Sequence, residues 1–339
     1  MNYDLVGIGN ALVDIEVHVD DDFIKDISVI KGGMTLFSTA EQDKILKALE
    51  TKPYKTSSGG SAANTIHGIS VLGAKSYYLG RVANDENGKL YTEDMHSCEV
   101  GFCGPSTDDE GTGTCVILLT PDAERTMLTS LGVSSKLHPD NVDKTIISNA
   151  KAVYVEGYLW TEDETREAGL HMAQIAKKQG IPVAFTLSDA FVVNSFKESL
   201  LDFIQHHVDI LFCNEVEALA MTGETDSRKA FDKLLAWVDT LFLTLGSQGS
   251  LAGKRGDDPV HVGTFPVKAV DTTGAGDLFA AGALYGLINE RSLKDSAIIG
   301  SYCAAQVVSN IGARLPVNSH RQVENILFEY SKLDSETPR

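Results

Sequence analysis

The chain has 339 residues, 43% of them hydrophobic, enough for one large α/β unit carrying an additional lobe. Lys and Arg total 29 against 47 Asp and Glu, and this net charge of −18 repels a phosphate backbone, which excludes nucleic acid as the expected partner. The five cysteines (Cys98, Cys103, Cys115, Cys213, Cys303) lack zinc-type spacing and read as reduced thiols. With no basic-then-apolar leader and no run near the roughly 18 apolar residues of a membrane span, the expectation is a cytoplasmic protein with no membrane partner.

In chain order, "GIGNAL" (7–12) starts like a dinucleotide fingerprint, but Leu12 stands at the third glycine position, so an NAD-dependent reading is weak. "LVDIEVHV" (12–19) alternates, with Leu12, Asp14, Glu16 and His18 on one face and Val13, Ile15, Val17 and Val19 on the other. "SGGSAANTIHGISVLG" (58–73) is a glycine turn entering a helix. Backbone amides and Asn64 would there reach a polyhydroxy ligand, or Asn64 would only cap the helix. "GTCVILLTPDAERTMLTSLG" (113–132) reads as two strands joined at "PDAE". The one-sided strands suit a small sheet with one wet face, a lid inserted twice at 15–37 and 106–131 into a body formed by 1–14, 38–105 and 132–339.

Buried strands follow at 152–157, 183–187, 209–213 and 240–246, separated by helices that end near Gln179 and His206. This is the pattern of a mainly parallel sheet covered on both faces, whose ligands bind beyond the C-terminal strand ends. "GSLAGKRG" (249–256) lacks the spacing of a phosphate-binding P-loop. A strand-like "FPVKAV" (265–270) leads into "DTTGAGDLFAAGALYGL" (271–287), where Gly274 and Gly276 precede a helix. Free amides and the positive dipole end make an anion hole there. Asp277 beside it would orient a hydroxyl and take its proton during phosphoryl transfer; the alternative is a helix N-cap with glycines that only ease packing.

Four motifs carry a family resemblance. "DTTGAGDLFAAGAL" (271–284) and "GGSAAN" (59–64) resemble the C- and N-terminal signatures of the ribokinase-like, PfkB-type carbohydrate and nucleoside kinases, and "NEVE" (214–217) and "TLGSQGS" (244–250) lie between them in the family's order. The resemblance implies a three-layer α/β/α sandwich with a small discontinuous β-sheet lid that closes to exclude water. It implies Asp277 as catalytic base, the amides of Gly274, Ala275 and Gly276 as anion hole, and Arg125 as a phosphate-directed arginine (otherwise a surface residue beside Asp122 and Glu124). Thr244, Gly246, Gly249, Thr273 and Asn214 would line the ATP site, flanked by a helix over 300–313. Glu217 would help hold Mg²⁺ through water, and Asp271 would contribute to a possible K⁺ site.

"GIGNALVDIEVHVDDDFI" (7–24) is similar to the start of the adenosine kinase branch. That resemblance implies Asp14 on the ribose hydroxyls, with Asn64, Gly60 and neighbouring Gly59 and Ser61 on the same sugar and Asn10 toward the base. Tyr158 would stack on the purine, with Leu159 the alternative and a core aromatic the plain reading. Phe37, Leu128 and Leu131 would close over the base, and Glu156, a departure from the branch, would face the base edge. The expected reaction is phosphorylation of the adenosine 5′-hydroxyl by ATP. Other nucleosides (inosine, guanosine), a sugar such as ribose or fructose, and a non-catalytic nucleoside-binding module are the alternatives. The chain would be a monomer, or a homodimer through Val13, Ile15, Val17 and Val19.

Overall fold

The computed structural model describes residues 2–103, 110–122, 124–315 and 323–336; positions 106–109 and 123 of the expected lid lie outside them. The strands are β1 (Tyr3–Ile8), β2 (Leu12–His18), β3 (Met34–Leu36), β4 (Tyr54–Gly59), β5 (Ser76–Leu79), β6 (Gly101–Phe102), β7 (Thr112–Leu119) and β8 (Arg125–Gly132). They continue with β9 (Ala150–Glu156), β10 (Val183–Thr186), β11 (Ile210–Asn214), β12 (Thr240–Thr244), β13 (Ser250–Lys254) and β14 (Val260–Val262). The large sheet has the order β14-β13-β12-β11-β10-β9-β1-β5-β6, parallel from β12 to β6 and closed by an antiparallel hairpin at the other edge. The small sheet runs β3-β8-β7-β2-β4.

Period-two alternation explains the three layers. Leu5, Tyr154, Ala184, Phe212 and Phe242 point to one face of the large sheet, under helices Ser61–Val71, Ala275–Ile288 and Leu293–Val308. Their neighbours Val6, Val153, Val155, Phe185, Leu211 and Leu243 point to the other, under Asp163–Lys178, Ala190–His207 and Glu215–Thr222. The α/β/α architecture expected from the sequence is therefore present. Cys115, Cys213 and Cys303 are buried free thiols, and no helix among the described residues is long and apolar enough to cross a membrane.

Four expectations need correction. Residues 265–270 form no strand: Val267 and Val270 are exposed, and the segment instead hangs on the C-terminus of helix Leu293–Val308 through the Val270 and Asp271 amides donating to the Val308 carbonyl. That helix ends at Val308, not near 313, because the chain turns through Ser309 to a left-handed Gly312. Residues 38–59 do not belong to the body: β4 pairs with β2, and Ile45, Leu46 and Leu49 of the helix beginning at Thr39 and its C-cap pack on the small sheet. The proposed dimer surface is covered within the chain. Val13 joins the main core, whereas Ile15, Val17 and Val19 lie under helices Asp21–Asp26 and Thr39–Ala48.

Candidate active site

The C-terminal ends of the parallel strands open into a cavity of about 430 Å³, roofed by the small sheet. Asn10, Glu156, Thr186, Asn214 and Thr244 line it from β1, β9, β10, β11 and β12 or the turns after them. The glycine turn and anion-hole loop contribute Gly60, Ser61, Asn64 and Thr272 to Asp277, so two segments over 200 residues apart in sequence meet in one wall. That is where an α/β sheet places its ligands.

Gly274, at φ +71°, ends the loop in the left-handed region, and an added Cβ would lie 2.7 Å from the Ala313 Cβ. Helix Ala275–Ile288 starts there. The Ala275 amide, expected in the anion hole, instead donates to the Thr272 carbonyl at 3.3 Å; among the described residues the Gly274, Gly276 and Asp277 amides find no acceptor, which leaves a helix N-terminus open to an anion. Asp277 stands in that first turn and caps nothing. Its carboxylate accepts hydrogen bonds from Ser61 Oγ at 2.7 Å and Asn64 Nδ2 at 3.0 Å. Burial pushes its carboxyl up to about 6, against the opposing effect of those two donors. Ser61 and Asn64, expected on the sugar, thus also hold Asp277.

Asp271 fixes the loop from its other end, accepting from the Thr273 amide at 2.8 Å and the Gly312 amide at 2.9 Å. Arg125 reaches it from β8, with Nη2 at 3.3 Å from Asp271 Oδ2 and 2.7 Å from Glu16 Oε1. Arg125 is no surface residue, its side chain being 9% exposed, and its buried Nε and Nη1 have no partner within the described residues although the residue lines the cavity. Asp271 Oδ1 thus accepts the Thr273 amide, while Oδ2 accepts the Gly312 amide and faces Arg125.

The small sheet alternates as the large one does. Leu12, Asp14, Cys115, Ile117, Met127, Thr129, Leu131, Met34 and Leu36 face the cavity. Leu128 and Phe37 are one residue out of phase and pack in the sheet's outer layer instead, which corrects their expected role over the ligand. Asp14 is 9% exposed, and burial pushes its carboxyl up to about 7 while Arg125 pulls it down. The buried Asn10 Oδ1 and Asn64 Oδ1 accept nothing within the described residues. Asn10, Asp14 and Asn64 thus line the cavity, and the two asparagine oxygens have acceptor capacity unused among the described residues.

Gly60, at φ +95°, brings the chain so close to the Asn10 carbonyl that a Cβ would lie 2.3 Å from it. Gly59 lies behind Asp14 and outside the cavity wall. Glu156 is fully buried and its oxygens accept the Asn10 and Ala62 amides, each at 2.7 Å, so it ties the first strand turn to the glycine turn rather than offering a free carboxylate to a base edge. Tyr158 lines the cavity while packing partly on the core; Leu159 is fully buried in that core and does not line it. Asn214 and Glu217 form a reciprocal helix cap, with the Glu217 amide donating to Asn214 Oδ1 at 2.9 Å and the Asn214 amide to Glu217 Oε2 at 3.0 Å. Both still line the cavity, and burial pushes the Glu217 carboxyl up to about 7. Thr244 lines the cavity, but Gly246 and Gly249 lie in the turn beyond it. Thr186, Ser188, Phe212 and Phe242 are wall residues that carried no motif signal.

The profile of pfkB family carbohydrate kinases matches residues 36–320. The chain is 32% identical over 258 residues to the guanosine-inosine kinase of Escherichia coli K12, an alignment covering 72% of this chain and only 58% of that enzyme's length. It is 27% identical over 336 residues to the adenosine kinase of Saccharomyces cerevisiae, covering 93% of this chain and 98% of that one. In three dimensions it resembles the adenosine kinase of Sinorhizobium meliloti, with TM-score 0.90 and 36% identity over 96% of this chain and 99% of that one. With the profile spanning most of the chain and the ribokinase-like fold in place around an open helix N-terminus, the chain belongs to the pfkB family of carbohydrate kinases.

Proposed function

We propose that the chain transfers the γ-phosphoryl group of ATP to the 5′-hydroxyl of a purine nucleoside, adenosine foremost. The observation carrying this is the meeting in one cavity of Asp277, the open helix N-terminus, Arg125 with two donors unpartnered among the described residues, and the acceptor residues Asp14, Asn10 and Asn64. Asp14 and the two amides would hold the ribose hydroxyls, and Tyr158 with Met34, Met127 and Leu131 would enclose the base. The 5′-oxygen would then lie at Asp277. As the new O–P bond forms and the bond from the γ-phosphorus to the β–γ bridging oxygen breaks, the hydroxyl proton passes to Asp277 and ADP leaves. The amides of Gly276 and Asp277 with Arg125 would neutralise the transferring group, so positioning and charge carry the rate.

Among the described residues, no three His, Cys, Asp or Glu side chains cluster as a metal site. A divalent ion, Mg²⁺, would therefore arrive with the ATP phosphates and neutralise part of their charge, with Glu217 and Asn214 holding it through water. The small sheet would close over the bound pair and keep water from the phosphoryl group. Likeness to a guanosine-inosine kinase favours a second reading, in which the same chemistry acts on 6-oxopurine nucleosides. ADP release from Mg²⁺–ATP with adenosine, inosine, guanosine, ribose and fructose tests the proposal. Turnover of a purine nucleoside is expected, and Asp277→Asn should lower kcat by about 10²–10⁴-fold. Turnover of a free sugar alone would overturn the nucleoside reading, and an unimpaired Asp277→Asn would overturn the base assignment.

A further inference from the structure

We infer that Glu16 is a positioning residue for Arg125: it fixes the guanidinium from within the small sheet so that Nε and Nη1 meet the transferring phosphoryl group. The inference deepens the proposed function and rests on it. Glu16 lies on β2 and Arg125 on β8, with β7 between them. Glu16 is level with Ile117, and Arg125 with Leu119, so the arginine side chain runs diagonally across β7. Its Nη2 lies 2.7 Å from Glu16, whose side chain is only 12% exposed. Nη2 is held between Glu16 and Asp271, and the two remaining buried nitrogens, with no partner among the described residues, are left for a further acceptor.

The two carboxylates around Arg125 have different duties. Asp271 belongs to the body and also fixes the anion-hole loop through Thr273 and Gly312, at a longer 3.3 Å from the arginine. Glu16 belongs to the same sheet as Arg125 and travels with it. When phosphate takes up the free donors and competes with Asp271, the Glu16 contact is the one that need not break. Arg125 would then arrive already aimed whenever the small sheet closes, and the cost of ordering a long side chain is met before the reaction. Glu16 does not line the cavity, so its effect on substrate passes through Arg125.

The test uses the full chain with Mg²⁺–ATP and adenosine, guanosine and inosine. Glu16→Gln keeps the shape and removes the charge; kcat is expected to fall by about tenfold or more, as misplacing a catalytic group does, with nucleoside KM changed by less than about twofold. Glu16→Asp should retain more of kcat than Glu16→Gln. Added to Arg125→Ala, Glu16→Gln should lower kcat no further, because the residues act as one unit. Thermal melts of each variant separate this from unfolding. Multiplicative losses in the double variant, or a Glu16→Gln kcat equal to wild type, would overturn the inference and leave the kinase reading standing. Absence of wild-type turnover with every nucleoside would overturn both.

Discussion

Ser61→Ala isolates the proton-accepting role of Asp277. The substitution removes the 2.7 Å donor to the Asp277 carboxylate and leaves Asn64 in place. A hydrogen bond to an ionised group contributes about 1.5–3 kcal/mol, and one pKa unit is 1.36 kcal/mol. Asp277 is open to the cavity, so solvent takes over part of the lost bond and the lower end applies, a rise of about one unit. The wild-type carboxyl, at about 6, would move to about 7. A raised pKa means less ionised base at low pH, so the loss falls on the acid side. The assay is kcat/KM for the nucleoside from pH 5 to 9, expressed as the variant-to-wild-type ratio. That ratio cancels the titration of Asp14, which is common to both proteins. It should be about one-tenth at pH 5, about one-fifth at pH 6 and near unity above pH 8. A ratio independent of pH would refute the reasoning and place Ser61 on the substrate or in packing instead.

Two further outcomes test the ribose and strand-turn contacts. Asp14→Asn keeps the shape of a cavity acceptor but removes its charge; nucleoside KM is expected to rise by about tenfold with kcat nearly unchanged, the reverse of the Glu16→Gln pattern. At pH 6 the protonated Glu156 hydroxyl oxygen still has a lone pair for one of the two backbone amides, whereas Glu156→Gln places there an NH₂ that cannot accept, and urea denaturation at pH 6 should show a loss of about 1–3 kcal/mol. Burial pushes the Glu156 carboxyl up to about 8 from its usual 4.5, so the folded chain holds this proton more tightly than the unfolded one. Its contribution is therefore complete below pH 4.5 and is lost as pH rises through about 8. Wild-type stability should fall over that window, and the Gln variant should lack that part of the slope.

Much of the site was legible because its chemistry is local in sequence. Gly274 and Asp277 sit within one helix start, and Gly60 to Asn64 within another, so composition and spacing alone marked both. The alternation of Asp14 and Glu16 with Ile15 and Val17 likewise marked a one-sided strand. What covers the apolar face was not legible, because the covering helices at Asp21–Asp26 and Thr39–Ala48 carry no mark of their partner. Phe37 and Leu128 were misplaced for the same reason: a strand's phase is settled by what it packs against, and one residue reverses it. The segment 265–270 is apolar enough for a strand, but its amides at Val270 and Asp271 find the end of a helix before they find a sheet edge. Glu16 went unnoticed because its partner lies across a strand 109 residues away. Glu156 drew notice as a departure, and only its two long-range backbone partners show that it is a structural tie.

The most direct test of the central claim is the attachment point of the phosphate. Phosphorus–proton correlation NMR of the product formed from Mg²⁺–ATP and the turned-over nucleoside reads it without ambiguity. The expected result is a single phosphomonoester on the 5′-oxygen, appearing in step with ADP. Phosphate on the 2′- or 3′-oxygen would mean that Asp14, not Asp277, faces the reacting hydroxyl. Free inorganic phosphate as the main product would mean that the small sheet does not exclude water during transfer.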